Sequence, residues 1–163
     1  MRYAFFDIDG TLSVPVFVNK EGIPGLGFPA SEWPKFVKEH RNHSYDNCMV
    51  LPAMREYLAF LKDHDVECII LSASSDKAED DAKIAFCRKR FPGIFSEYLF
   101  VKHAAEKPTR ILEYAHQHGA RPSDCMIVED MYETILTAKA LDIQGVHISH
   151  IAAGCADIVC PIT

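Results

Sequence analysis

The run Phe5-Phe6-Asp7-Ile8-Asp9-Gly10-Thr11-Leu12 ends a short apolar stretch in two carboxylates spaced i, i+2, followed by a glycine and a hydroxyl. A strand ending this way brings two acids, a flexible turn and a hydroxyl to one edge of a sheet, a combination that suits a divalent cation and a phosphate. Three further groups share this character. Ser72-Ala73-Ser74 follows an apolar run, Lys107-Pro108 opens an amphipathic segment, and Glu129-Asp130 closes another apolar run. Carboxylates hold Mg²⁺ through oxygen. A lysine and hydroxyls neutralise and orient a phosphoryl group, and a carboxylate can act as a covalent nucleophile.

These residues need elements that bring them to one place. Short apolar runs alternate with amphipathic segments along most of the chain. The pattern predicts strands at 3–6, 66–71, 98–101, 125–128 and 143–148, with a sixth short one at 158–160. Helices are expected at 52–64, 76–90, 107–118 and 131–141, the second capped by Ser75 or Asp76 and the third stopped by Gly119. Strands alternating with helices imply crossover connections and a mainly parallel sheet. Such sheets bind ligands beyond the carboxyl ends of their strands, where Asp7, Asp9, Ser72, Lys107, Glu129 and Asp130 all fall. One stretch breaks the rhythm. Residues 13–50 carry Pro15, Gly22, Pro24, Gly25, Gly27, Pro29 and Pro34. A hairpin around Asn19-Lys20-Glu21-Gly22 and a helix over 31–40 are the elements expected there. An insert directly after the acidic turn is expected to lie over the carboxyl edge of the sheet as a small cap or flap.

Composition bounds the remaining possibilities. At 163 residues the chain reads as one domain, 1–163, with 13–50 as an insert within it. A hydrophobic content of 48% and a charged content of 25% are those of an ordinary globular protein. The net charge of −6 argues against nucleic acid or an anionic membrane as partner. No apolar stretch is long enough to span a bilayer, and Asp7 and Asp9 stand where a signal peptide would need its apolar core. The six cysteines (48, 68, 87, 125, 155 and 160) form no CxxC pair and no regular framework. Buried free thiols and a cytoplasmic location are therefore expected.

Taken together and in order, Asp7-Ile8-Asp9-Gly10-Thr11, Ser72 after its apolar strand, Lys107-Pro108 and Val128-Glu129-Asp130 resemble the four motifs of the haloacid dehalogenase (HAD) superfamily. The resemblance runs from residue 3 to about 148, omitting the insert. It implies an α/β, Rossmann-like three-layer sandwich with a mainly parallel sheet of five or six strands and a small cap after strand one. The second aspartate and the Gly-Thr pair match the phosphotransferase version of the first motif. By this resemblance Asp7 attacks phosphorus and forms an aspartyl-phosphate. Asp9 protonates the leaving oxygen and then activates water, while its backbone carbonyl reaches the metal. Ser72 and the backbone N–H of Ala73 hold the phosphoryl oxygens, and Lys107 holds Asp7 and the phosphate by charge. Asp7, Asp9, Glu129 and Asp130 form the Mg²⁺ site. The implied activity is a Mg²⁺-dependent phosphatase acting on a small phosphorylated metabolite such as a sugar phosphate. A nucleotide or nucleic-acid-end phosphatase and a non-catalytic phosphate- or metal-binding regulator are the alternatives. A reduced cap also goes with homo-oligomers in which a neighbour covers the site. Two departures stand out. Thr134 occupies a position where many members carry an aspartate, and the insert is too short for the helical-bundle cap of the mutase branch.

Other candidates carry blander expectations. His116 and His118 near a helix end, and Glu133 in a helix first turn, suit the helix dipole. His147 and His150 follow the last strand and could approach the site edge. Lys38, His40, Arg41 and His43 form a basic cluster in the insert, expected to be a solvated face. Trp33 and Phe36 are expected to pack the insert onto the core, Ser74 to cap the next helix, and Glu79-Asp80-Asp81 to be a solvated helix face.

Overall fold

The four residues of strand β1 (Tyr3–Phe6) are all buried, so both faces of this strand meet packed side chains. Such a strand belongs at the centre of a sheet. In the computed structural model, which describes residues 1–18, 24–26, 31–46 and 48–153, β1 pairs in parallel with β5 (Glu67–Ala73) on one side and with β7 (Cys125–Glu129) on the other. Strands β6 (Phe95–Val101) and β8 (Gln144–His147) complete a five-stranded sheet of order β6-β5-β1-β7-β8. All four of its strand pairs are parallel. The sheet grows outward from β1 first one way and then the other. The switch in direction falls between β1 and β7, the position at the carboxyl edge where sheets of this kind bind ligands.

Helices cover both faces. Side chains alternate along β1: Ala4 and Phe6 join one core and Tyr3 and Phe5 the other. The first core takes Met54, Tyr57, Leu58 and Leu61 from α2 (Pro52–Asp63) and Ala82, Phe86 and Cys87 from α3 (Lys77–Arg90). It also takes Ile148 and Ile151 from the short α6 (Ile148–Ala152). The second takes Ile111, Tyr114 and Ala115 from α4 (Lys107–Gln117) and Ala138 from α5 (Tyr132–Ala140). Tyr3 and Phe5 each meet the Tyr114 ring edge-on, with centroids 5.3 Å apart.

Residues 13–50 form more structure than their Pro/Gly content suggests. Strands β2 (Ser13–Val18), β3 (Pro24–Leu26) and β4 (Cys48–Val50) make a separate antiparallel sheet of order β3-β2-β4. Helix α1 (Trp33–His40) follows the expected position and runs into a 3-10 turn at Arg41–His43. The expected turn at Asn19-Lys20-Glu21-Gly22 and the expected strand at 158–160 lie outside the described residues, as do Cys155 and Cys160. Cys48, Cys68, Cys87 and Cys125 are free and buried. Among the described residues no helix is long and apolar enough to cross a membrane.

Strand ends differ from the sequence expectation in a consistent way. β5 runs on to Ala73 and β7 to Glu129, because each keeps pairing with a neighbour that is itself extended. Ser72 and Glu129 therefore belong to strands and not to loops. Helix α3 begins at Lys77, with Asp76 as its N-cap accepting from the Glu79 N–H at 3.0 Å. Ser74 does not cap it: its hydroxyl donates to the Asp76 carbonyl instead.

Candidate active site

Asp7 is the first residue beyond β1, and its backbone N–H donates to the Val128 carbonyl at 3.1 Å. This continuation of the β1–β7 register sets the Asp7 side chain beside Glu129. The carboxylate of Asp7 meets the Lys107 ammonium at 2.8 Å, and the same ammonium meets Glu129 Oε1 at 2.5 Å. Lys107 is buried at the first turn of α4, where Pro108 follows it within the turn. Burial pulls the Lys107 pKa down, but Asp7 and Glu129 more than offset this and hold it above the usual lysine value. The ammonium is therefore charged.

Glu129 is fully buried. Its Oε1 takes the Lys107 ammonium, and its Oε2 accepts the backbone N–H groups of Asp130 and Met131, each at 2.8 Å. It thereby shapes the turn that presents Asp130. Burial and the facing Asp7 push its carboxyl up to about 7, against the pull of Lys107. Asp130 is exposed at the mouth of the site, and burial of its inner edge raises its carboxyl above the usual range. Asp7, Glu129 and Asp130 each offer a carboxylate oxygen within 4.8 Å of the others. The turn closes tightly. Gly10 has φ +75°, and a Cβ there would lie 2.2 Å from Asp130 Oδ2. Only glycine permits both the backbone conformation and the approach of that carboxylate.

Asp9 stands apart from these acids. Its Oδ1 accepts from the Tyr45 hydroxyl at 2.8 Å, and its Oδ2 meets the Lys83 ammonium at 2.9 Å. Its side chain keeps 43% of its surface exposed. Packing around its inner edge raises its carboxyl above the ordinary range, and Asp7 adds to this, while Lys83 and Tyr45 pull it back. Ser72, buried at the end of β5, accepts from Lys83 at 3.0 Å. Lys83 also donates to the Ala73 carbonyl. The two aspartates of the opening motif thus serve two separate charge clusters, Asp7 with Lys107 and Asp9 with Lys83.

Three members of the second cluster were not legible in the sequence. Glu79 is no solvated helix residue: it is buried, meets Lys83 at 3.1 Å, and accepts from the Trp33 indole at 3.1 Å and from the Ser75 backbone and hydroxyl. Burial by itself would raise its carboxyl, but Lys83, Ser75 and Trp33 outweigh burial and hold it below the usual value. Lys83 follows Glu79 at i+4, a spacing ordinary on exposed helix faces, so nothing signals its burial. Tyr45 lies in an insert without a motif, yet it is 2% exposed. Trp33 does pack the insert onto the core, as expected. Its ring meets Tyr45 edge-on, and Tyr45 in turn packs on Phe86 of α3.

The remaining candidates resolve simply. His147 reaches the site edge, where its Nε2 lies 2.9 Å from the Asp130 carbonyl. Glu133 is exposed and Thr134 buried in the first turn of α5, outside the carboxylate cluster. His118 stacks on Tyr114 and hydrogen-bonds its backbone. The basic cluster of the insert lines an open groove against Lys77, Ala78 and Asp81 of α3.

Comparison with solved structures places this architecture. A HAD-superfamily hydrolase, subfamily IA, variant 1, from Geobacter sulfurreducens PCA is 15% identical, with a TM-score of 0.59 over 90% of this chain and 89% of that one. A HAD family enzyme from Bacteroides thetaiotaomicron, solved with magnesium and inorganic phosphate, is 11% identical, with a TM-score of 0.56 over 90% of this chain and 93% of that one. An uncharacterized protein from Listeria monocytogenes serotype 4b is 15% identical, with a TM-score of 0.61 over 90% of this chain and 78% of that one. No protein-family model and no curated protein matches the chain. The fold is that of the HAD-type hydrolases: α/β, Rossmann-like, with a parallel five-stranded sheet between helices.

Proposed function

We propose that this protein is a magnesium-dependent phosphatase that hydrolyses a phosphomonoester of a small metabolite, a sugar phosphate or similar, through an aspartyl-phosphate on Asp7. The observation that carries the reading is the separation of two aspartates with different partners. Asp7 lies against a buried lysine and two further acids, while Asp9 stands outside that cluster with a free edge toward solvent. A nucleophile and an acid–base group need such different surroundings.

The donor set fits magnesium. Three carboxylates converge within 4.8 Å of one another, and both Glu129 and Asp130 have carboxyls raised by burial. A hard divalent cation with oxygen ligands relieves that crowding. Asp7, Glu129 and Asp130 would be its side-chain ligands, together with the backbone carbonyl of Asp9. Glu129 also orients Lys107 and the turn that carries Asp130 through its hydrogen bonds. When bound, the ion would neutralise phosphoryl oxygens and shield the approach of one anion to another.

The chain's own residues supply the rest. A carboxylate oxygen of Asp7 attacks phosphorus as the bond to the leaving oxygen breaks. The carboxyl of Asp9 gives its proton to that oxygen, so the alcohol leaves neutral. Water then attacks the phosphorus of the aspartyl-phosphate and passes its proton to Asp9, which restores Asp7 and releases inorganic phosphate. Lys107 keeps its charge on the nucleophile, and Ser72 with the Ala73 N–H receives the phosphoryl oxygens. A purely binding regulator has no use for Asp9 beside the nucleophile, which disfavours that alternative.

Purified protein should hydrolyse 4-nitrophenyl phosphate in Mg²⁺ and lose that activity on chelation. Asp7→Asn should bring turnover to background. Asp9→Asn should lower kcat by about 10²–10⁴-fold while Mg²⁺ still raises the melting temperature. Full turnover in Asp7→Asn, or an inactive wild type across a broad panel of phosphomonoesters, would overturn the reading.

A further inference from the structure

Asp9 is held by two residues that come from different parts of the chain. Tyr45 belongs to the insert and Lys83 to the middle of α3, and each takes one oxygen of the same carboxylate, at 2.8 and 2.9 Å. Both are almost wholly buried, 2% and 1% exposed. Burying a lysine in mid-helix requires close partners, and this one has four: Asp9, Glu79, Ser72 and the Ala73 carbonyl. Glu79 is held in turn by the Trp33 indole of the insert. The insert therefore reaches the same lysine by two routes, through Tyr45 and Asp9 and through Trp33 and Glu79.

We infer that Tyr45 and Lys83 are positioning residues that fix the rotamer of Asp9, and that the insert takes part in proton transfer by anchoring Asp9. The inference rests on the phosphatase reading and extends it to residues outside the four motifs. A free aspartate side chain at the end of a turn has several rotamers. A donor on each oxygen from a fixed direction selects one. With one donor on each oxygen, lone pairs remain, and the 43% of the Asp9 side chain that stays exposed leaves an edge that a leaving oxygen or a water can reach. The ammonium shared with Ser72 Oγ ties the position of Asp9 to the residue that receives the phosphoryl group.

A residue that only stabilises the fold affects all substrates alike. One that positions a general acid matters most where the leaving oxygen needs a proton. The test compares wild type, Tyr45→Phe and Lys83→Arg on 4-nitrophenyl phosphate, whose leaving group departs readily as an anion, and on phenyl phosphate, whose leaving group needs protonation far more. Tyr45→Phe removes one hydroxyl from a packed ring. Lys83→Arg keeps the charge but alters donor geometry. In each, kcat/KM on phenyl phosphate should fall by about tenfold and on 4-nitrophenyl phosphate by less than about threefold, with the melting temperature of Tyr45→Phe close to wild type. Equal losses on both esters, or no loss in either variant, would overturn the clamp while leaving the phosphatase reading intact. A wild type inactive on both esters would remove the phosphatase reading itself, and the clamp with it.

Discussion

Gly10 shows how much of this site depends on a single missing atom. Its φ of +75° lies in the left-handed region, and its absent Cβ is the space that Asp130 Oδ2 occupies. Gly10→Ala would bring backbone strain of about 1–2 kcal/mol and would also push the Asp130 carboxylate out of the acid cluster. The expected outcome is a small loss of stability in urea together with a much weaker rise in melting temperature on adding Mg²⁺. A variant that responds to Mg²⁺ as strongly as wild type would show that Asp130 does not contribute to the metal. At this scale the sequence was highly legible for Asp7, Lys107, Glu129 and Asp130. Each lies within a residue of a strand end or helix start, so the placing of the element places the side chain. It was mute for Glu79, Lys83 and Tyr45. A charged residue in mid-helix has the same local sequence whether solvent or another segment covers it.

Helix α3 is the element on which the second cluster depends, since it carries both Glu79 and Lys83. Its start is set by Asp76, whose carboxylate accepts from the Glu79 backbone N–H. Loss of such a cap costs about 1 kcal/mol. Asp76→Ala should therefore lower stability by about that amount in urea denaturation, with kcat falling more than KM rises, because fraying the first turn loosens Glu79 and through it Lys83. Unchanged kinetics would place the cap's effect on the fold alone. The insert makes the same point in reverse. A hairpin around residues 19–22 was expected there, and β2 and β3 do pair antiparallel on either side of it, but the pairing of β4 on the other edge of β2 had no signal in the sequence. Strands of three residues such as Pro24–Leu26 and Cys48–Val50 are too short for any periodicity to declare itself. They exist because β2 offers both of its edges.

Across the whole molecule, the two cores hide four thiols. Burial pushes the Cys48 and Cys68 thiols up to about 12 and Cys125 to about 11, and raises Cys87 as well. In a Cys155→Ser, Cys160→Ser variant, a thiol reagent at pH 8 should label almost nothing in the native state and four thiols after denaturation. Rapid native labelling would contradict the packing of both cores. The sign of the pH effect follows. The folded thiols keep their protons where unfolded ones, with an ordinary pKa of 9.0, begin to lose them. The resulting stability is complete below about pH 9 and declines as pH rises toward the folded values. Denaturation midpoints should therefore fall between pH 8.5 and 10.5, and a constant midpoint would contradict the shift.

The sequence by itself determined the order of strands and helices, the parallel sheet they imply, and the carboxyl edge at which the acids and Lys107 meet. Periodicity and strand-end position are local properties, and a parallel α/β sheet turns them directly into places. Only the tertiary structure decided that Asp7 and Asp9 answer to different lysines, that Glu129 serves Lys107 and its own turn with both oxygens, and that the insert reaches Asp9 through Tyr45. These depend on contacts between residues far apart in sequence, such as Lys107 with Glu129, Tyr45 with Asp9 and Lys107 with Asp7. The burial of Glu79 and Lys83 comes with the packing of Trp33 and Tyr45 against α3, which no local spacing encodes.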